Sequence, residues 1–227
     1  MSDKYMILDV PGLDRDGASE QGERCRDFMR RLQDLGITPM TASSLTELTI
    51  LSWRDRFGEV ARDQSTLLVF PGNGANVVRG YLPQEWLERC KWRAVEAKRI
   101  WEPGQPPRAI VGRISPQRLG SMRCVIIVDD VISSGATIRE IMHVNDPWIP
   151  NAKWYAFSWI RQTSAFTKRF DGVYSAWEPV GTNTMKVPIN SLSTLLAHPE
   201  LADSYARRNF ADPAPLLTLL GEAGKDK

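Results

Sequence analysis

Four apolar β-formers in a row, Val125-Ile126-Ile127-Val128, run directly into Asp129-Asp130 and then, past Val131-Ile132, into Ser133-Ser134-Gly135-Ala136-Thr137. A strand with one face in water alternates apolar and polar residues. An uninterrupted apolar run must be covered on both faces, which is the situation of an interior strand in a parallel sheet. The small and hydroxylic residues that follow form a turn that opens a helix. A sheet that feeds helices in this way excludes an all-helical bundle and a simple antiparallel meander.

The rest of the chain agrees. Lys4 to Val10 reads as a first strand. Ser19 caps a helix whose stripe is Cys25, Phe28, Met29, Leu32 and Leu35, and Gly36 stops it. Ile37 to Met40 is a short strand, and Ser44 and Glu47 have capping-box spacing for a helix to about Val60. Thr66 to Phe70 is a second apolar strand, running into a turn at Pro71-Gly72-Asn73-Gly74. Pro83 to Cys90 is helical, Ala94 to Trp101 a strand, Glu102 to Arg108 a loop with three prolines, and Ala109 to Ile114 another strand. Arg123 to Asp129 and Trp154 to Ile160 complete the sheet. From Thr163 the chain reads as strand-poor, with helical segments near Leu192 and Leu201. The expected architecture is α/β, a mainly parallel twisted sheet flanked by helices with a small hood region. It divides into an N-terminal segment 1–62 of the hood or a dimer surface, a core 63–162, and a hood with C-terminal helices 163–227.

Composition narrows the function classes. With 29 Lys and Arg against 27 Asp and Glu, the formal charge is only +2, and the basic residues are interleaved with acidic ones. No nucleic-acid partner is expected from such a surface. The apolar runs are too short to span a bilayer and no leader is evident, so no membrane partner and a cytoplasmic location are expected. Cys25, Cys90 and Cys124, with His143 and His198, lack metal-ligand spacing, which argues against zinc.

The chemistry concentrates after the Val125–Val128 strand. In a turn that opens a helix, backbone N–H groups point outward, Gly135 permits close approach, and Ser133, Ser134 and Thr137 add hydroxyl donors. That combination suits a phosphate monoester. The carboxylates of Asp129 and Asp130 suit sugar hydroxyls, and a phosphorylated sugar satisfies both. This stretch resembles the phosphoribosyl-pyrophosphate (PRPP) signature of the type I phosphoribosyltransferases, with Ser134-Gly135-Ala136-Thr137 as its ending. The resemblance extends more weakly over about Leu67 to Gln162.

The resemblance implies transfer of 5-phosphoribose from PRPP to a ring nitrogen of a small heterocycle, with loss of pyrophosphate. It also implies Mg²⁺ on Asp129 and Asp130, a 5-phosphate loop at 133–137, and a pyrophosphate loop at Gly72, Asn73 and Gly74. Asn73 stands where the family often has a basic residue, which shifts the grip toward backbone and Arg79. Lys98, Arg99 and Arg108 bracket the place of the family's closing loop, stiffened here by its prolines. Acceptor candidates are Arg161, Tyr174 and Trp177. Ser133 replaces the acid of the 6-oxopurine branch, which argues against hypoxanthine and guanine. The family usually forms homodimers. Alternatives on the same fold are a regulator that binds PRPP or a nucleotide without turnover, and an N-ribosyl hydrolase.

Overall fold

The computed structural model describes residues 4–57, 65–100, 108–114, 120–162, 169–179 and 189–225. The chain forms two compact units, one of residues 1–44 with 187–227, the other of residues 45–186. This grouping differs from the division expected at 62 and 162, because the two ends of the chain build one core together.

In the unit formed by the two ends, β1 (Lys4–Leu8) lies between β2 (Ile37–Thr41) and β10 (Ile189–Ser191), parallel to both. Helix α1 (Glu20–Asp34) joins β1 to β2, capped by the Ser19 hydroxyl, which accepts from the Gly22 N–H at 3.2 Å. Gly36 follows at φ +72°, the left-handed angle that lets the chain turn back. Of the expected apolar stripe, Cys25, Phe28 and Leu32 are buried with Met6 and Leu8 of β1, and Met29 and Leu35 pack against them half-buried. Leu192 and Leu195 of α6 (Leu192–Ala197), Ala202 and Tyr205 of α7 (Pro199–Asn209), and Leu216 and Leu219 of α8 (Ala214–Gly224) complete that core.

The larger unit holds a five-stranded sheet in the order β4-β3-β7-β8-β9, parallel throughout. Its strands are β3 (Thr66–Pro71), β4 (Lys91–Val95), β7 (Cys124–Ile132), β8 (Lys153–Arg161) and β9 (Gly172–Trp177). Every residue of β3 is buried, as is β7 up to Asp129, as continuous apolar runs require. One face of the sheet, with Val125, Ile127 and Trp154, packs on Ile138 and Ile141 of α5 (Ala136–Asn145). On the other, the Trp159 indole donates to the Thr46 hydroxyl of α2 (Ala42–Phe57) at 2.9 Å and meets Tyr81 of α3 (Gly72–Tyr81) edge-on. Helix α4 (Gln84–Arg89) leads into β4. Between β4 and β7, β5 (Ala97–Ile100) and β6 (Arg108–Val111) form an antiparallel ribbon.

Four local expectations are corrected. The Pro71–Gly74 turn is the start of α3 itself. The stretch from Ala94 is two strands, β4 and β5, that belong to different sheets. The strand-poor tail contains β9, an edge strand whose half-buried residues lack the long apolar run that would have marked it. And α2 is capped by Thr41, three residues before Ser44: the Thr41 hydroxyl accepts from the Ser44 N–H at 3.3 Å.

Asp9, just past β1, is 6% exposed, and its carboxylate accepts from the Ser193 backbone N–H at 2.8 Å and the Ser193 hydroxyl at 2.5 Å. Burial outweighs these bonds and raises its pKa above 3.8. An acid with a raised folded-state pKa contributes most below the unfolded value and loses that contribution as pH climbs through the folded value. Asp9→Asn is therefore expected to gain stability relative to the parent chain between pH 4 and 7, in urea unfolding followed at several pH values. A constant difference across that range would show that the carboxylate is not desolvated.

Candidate functional site

Strand order sets the place of the site. From β3 the chain crosses through α3 and α4 to β4 on one side. From β7, the neighbour of β3, it crosses through α5 to β8 on the other side. Adjacent strands whose crossovers leave in opposite directions open a crevice at their carboxyl ends, where sheets of this kind bind ligands. The glycines after β3 and the acidic pair of β7 are the residues that flank it.

The two segments touch. A β-carbon on Gly74 would stand 2.4 Å from Asp130 Cγ and 2.5 Å from both carboxylate oxygens. The first turn of α3 therefore lies directly against the Asp130 carboxylate. The glycines act differently from what their spacing suggests. Only Gly72 has a left-handed backbone, at φ +69°, while Gly74 is helical and is required for space. Pro71 at the N-cap position offers no side-chain hydrogen bond, so the opening N–H groups of α3 have no capping side chain. Such a terminus carries partial positive charge and accepts an anion. A cleft of about 310 Å³ reaches it, lined by Gly72, Asn73 and Asn76 with Ala94 to Ala97.

Asp129 is 6% exposed and Asp130 half-buried, and each accepts from the backbone N–H of the next residue, at 3.0 and 2.8 Å. The strand continues past them to Ile132, so consecutive aspartates leave it on opposite sides, Asp130 toward α3. Gly135 adopts φ +72° at the N-cap of α5, the Ser134 hydroxyl accepts from the Ala136 N–H at 3.3 Å, and Ala136 and Thr137 are buried in the first turn. Arg139 Nε donates to the Gly135 carbonyl at 3.2 Å, bracing the turn from inside the helix. Sequence reasoning missed this residue, although its place four residues after the glycine was a usable signal.

The basic candidates separate. Lys98 and Arg108 share one face of the β5–β6 ribbon, diagonal across Ile100 and Ile110, and Arg99 pairs with Ala109 in the same ribbon. The ribbon begins beside the α3 terminus, since a β-carbon on Gly72 would lie 3.7 Å from the Ala97 carbonyl oxygen. Its connecting residues, Trp101 to Pro107, with most of the expected closing loop, lie outside the described residues. Arg79 is not at the pyrophosphate turn: it lies in the last turn of α3, its guanidinium 4.6 Å from the Trp92 ring centre. Of the acceptor candidates, Arg161 pairs with Ile132 and Trp177 with Ile160, which brings both to the carboxyl edge. Arg161 is held by Glu178 at 2.5 Å, and its buried Nε has no hydrogen-bond partner among the described residues. Tyr174 is set back in β9 opposite Phe157, with its hydroxyl over Gly172.

No group of three or more His, Cys, Asp or Glu is placed to hold a metal among the described residues, nor is any described helix long and apolar enough to cross a membrane. Burial pushes the Cys25 and Cys124 thiols up to about 11 and 12, so neither is a nucleophile at neutral pH. The donor set does fit Mg²⁺ held jointly with a substrate, since that ion commonly takes one or two protein carboxylates and completes its shell with phosphate and water. Asp130, which adjoins the anion-accepting terminus of α3, would supply one such carboxylate, while Asp129 leaves the strand on its other side.

Neither a protein-family model nor a curated protein sequence matches the chain. Among solved structures it is similar to the xanthine-guanine-hypoxanthine phosphoribosyltransferase of Helicobacter pylori, with 15% identity and a TM-score of 0.45 over 70% of this chain and 92% of that one. A purine phosphoribosyltransferase of Pyrococcus horikoshii gives 14% and 0.43 over 65% and 87%. A hypothetical protein of Neisseria gonorrhoeae with bound ppGpp gives 12% and 0.44 over 80% and 92%. Likeness of this degree leaves the functional reading to the site's own geometry.

The Gly74 contact makes a direct test. Taking Mg²⁺-PRPP as the ligand that the sequence resemblance implies, Gly74→Ala is expected to push the Asp130 carboxylate aside and weaken its binding at least ten-fold, a loss of about 1.4 kcal/mol, with an unchanged circular dichroism spectrum. Unaltered affinity in this variant would mean that the carboxylate's position is immaterial to binding.

Proposed function

We propose that this protein is a phosphoribosyltransferase, moving 5-phosphoribose from PRPP to a ring nitrogen of a small heterocycle and releasing pyrophosphate. The observation that carries the reading is the crevice between β3 and β7. Two helix-opening turns, at Gly72–Gly74 and at Ser133–Thr137, flank one acidic pair, with Asp130 in contact with the first turn. PRPP has the same three parts: a diphosphate, a ribose with free hydroxyls, and a terminal phosphate monoester. On this reading the diphosphate lies at the α3 terminus, the ribose hydroxyls at Asp129 and Asp130, and the 5-phosphate in the turn before α5.

The reaction breaks the bond between the ribose anomeric carbon and the diphosphate oxygen, whose electron pair leaves with pyrophosphate. The acceptor nitrogen's lone pair forms the new bond, and its proton passes to solvent. Positive charge grows on the sugar and negative charge on the leaving group, so catalysis consists in holding the sugar and meeting those charges. The α3 terminus meets the departing diphosphate with backbone N–H groups. Mg²⁺ held at Asp130, beside the α3 terminus, would supply further positive charge to the leaving group. The acidic pair orients the ribose and offsets charge on the ring. Arg161, which its pairing with Ile132 brings to the carboxyl edge, is the acceptor-side donor this reading favours.

Calorimetric titration with Mg²⁺-PRPP is expected to show saturable binding that is lost in an Asp129→Asn/Asp130→Asn double variant. A screen of heterocyclic acceptors scored by pyrophosphate release then identifies the second substrate. Binding with no release from any acceptor would favour a regulator on the same fold. Equal binding by parent and variant would remove the acidic pair from the site.

A further inference from the structure

The outer side of α5 forms a second feature, which shares Ala136 with the turn proposed for the 5-phosphate. A groove of about 690 Å³ runs along this helix from Ala136 to Asp146 and Pro147, walled opposite by Arg108 and Ala109 of β6 and by Arg169. Its volume falls within the range of small-molecule sites. Ten residue steps of helix make it roughly 15 Å long, more than a single phosphate occupies. Three arginines line it: Arg108, Arg139 and Arg169.

Two of these cations are not spent on the carboxylates beside them. Among the described residues neither Arg108 nor Arg169 has an ion-pair partner. Of the two carboxylates on the wall, Asp146 accepts from the Trp154 indole N–H at 3.1 Å, and Glu140 makes no ion pair among the described residues. Guanidinium forks are weakly hydrated and match phosphate oxygens in pairs, so a set of three in one concavity selects a ligand with several phosphate oxygens. Two of the three come from β6 and from the segment before β9, not from the helix, so the convergence is not an accident of one helix face.

We propose that this groove is a second anion site, distinct from the β3–β7 crevice, and that it binds a small polyanion carrying at least two linked phosphates. Inorganic oligophosphates and nucleotides share that chemistry. Glu140 is the opposing charge that limits its affinity.

The test titrates the full chain by calorimetry with tripolyphosphate, with ATP and with orthophosphate. Saturable binding of tripolyphosphate is expected, weakened at least ten-fold in Arg169→Glu and tightened several-fold in Glu140→Gln. Both residues are at the surface, and neither takes part in PRPP binding as proposed above. The Arg169-dependent phase should persist in Gly74→Ala, which separates this groove from the crevice. Tighter binding of ATP than of tripolyphosphate would identify a nucleotide as the ligand, and equal binding an oligophosphate alone. The proposal is overturned if folded protein binds no tripolyphosphate, if orthophosphate binds equally well, or if neither substitution changes the affinity.

Discussion

The closeness of Asp130 to the first turn of α3 is the constraint on which the candidate site depends. An acid rarely lies against a helix backbone with no room for a methyl group between them. Here it does so because β3 and β7 are hydrogen-bonded neighbours and the chain leaves β3 directly into a helix, with no intervening loop. The contact joins two segments more than fifty residues apart into one crevice. It also explains why glycine occupies position 74, where the backbone is ordinary helix and any side chain would collide with the carboxylate.

From that contact the chemistry follows by proximity. A helix terminus without a capping side chain draws negative charge, yet its nearest side chain is itself a carboxylate. A ligand satisfying both must carry an anionic group for the helix and hydroxyls or a cation for the acid, and a diphosphate-bearing sugar with Mg²⁺ does this. The turn before α5 extends the same logic to a second phosphate. Elsewhere in the larger unit, the guanidiniums along α5 gather around a concavity of their own. The buried thiols, raised far above neutral pH, take no part.

Much of the fold was legible because continuous apolar runs have few alternatives. Thr66–Phe70 and Arg123–Asp129 were recognisable as interior parallel strands, and the α1 stripe, its Ser19 cap and its Gly36 stop were readable from local chemistry. Misreadings arose where local signals were weak or ambiguous. Strand β9 has no apolar run because it lies at an edge. Gly72-Asn73-Gly74 looks like a turn because glycines mark turns, although here they open a helix. Ser44 has capping spacing, but Thr41 reaches the helix first. Arg79 looked available for phosphate, yet the Trp92 ring on β4, brought beside it by strand pairing, holds its guanidinium.

The amino-acid sequence by itself determined that strands covered on both faces feed helices through turns suited to phosphate, and that two carboxylates stand at one such turn. Those features are local, set by side-chain periodicity and by the backbone freedom of a few residues. The tertiary structure alone decided that the glycine turn after β3 meets Asp130, that Arg161 reaches the same edge while Tyr174 does not, and that Arg108, Arg139 and Arg169 line one groove. Each of these depends on strand order and register, which follow from the packing of the whole sheet and leave no trace in any short segment.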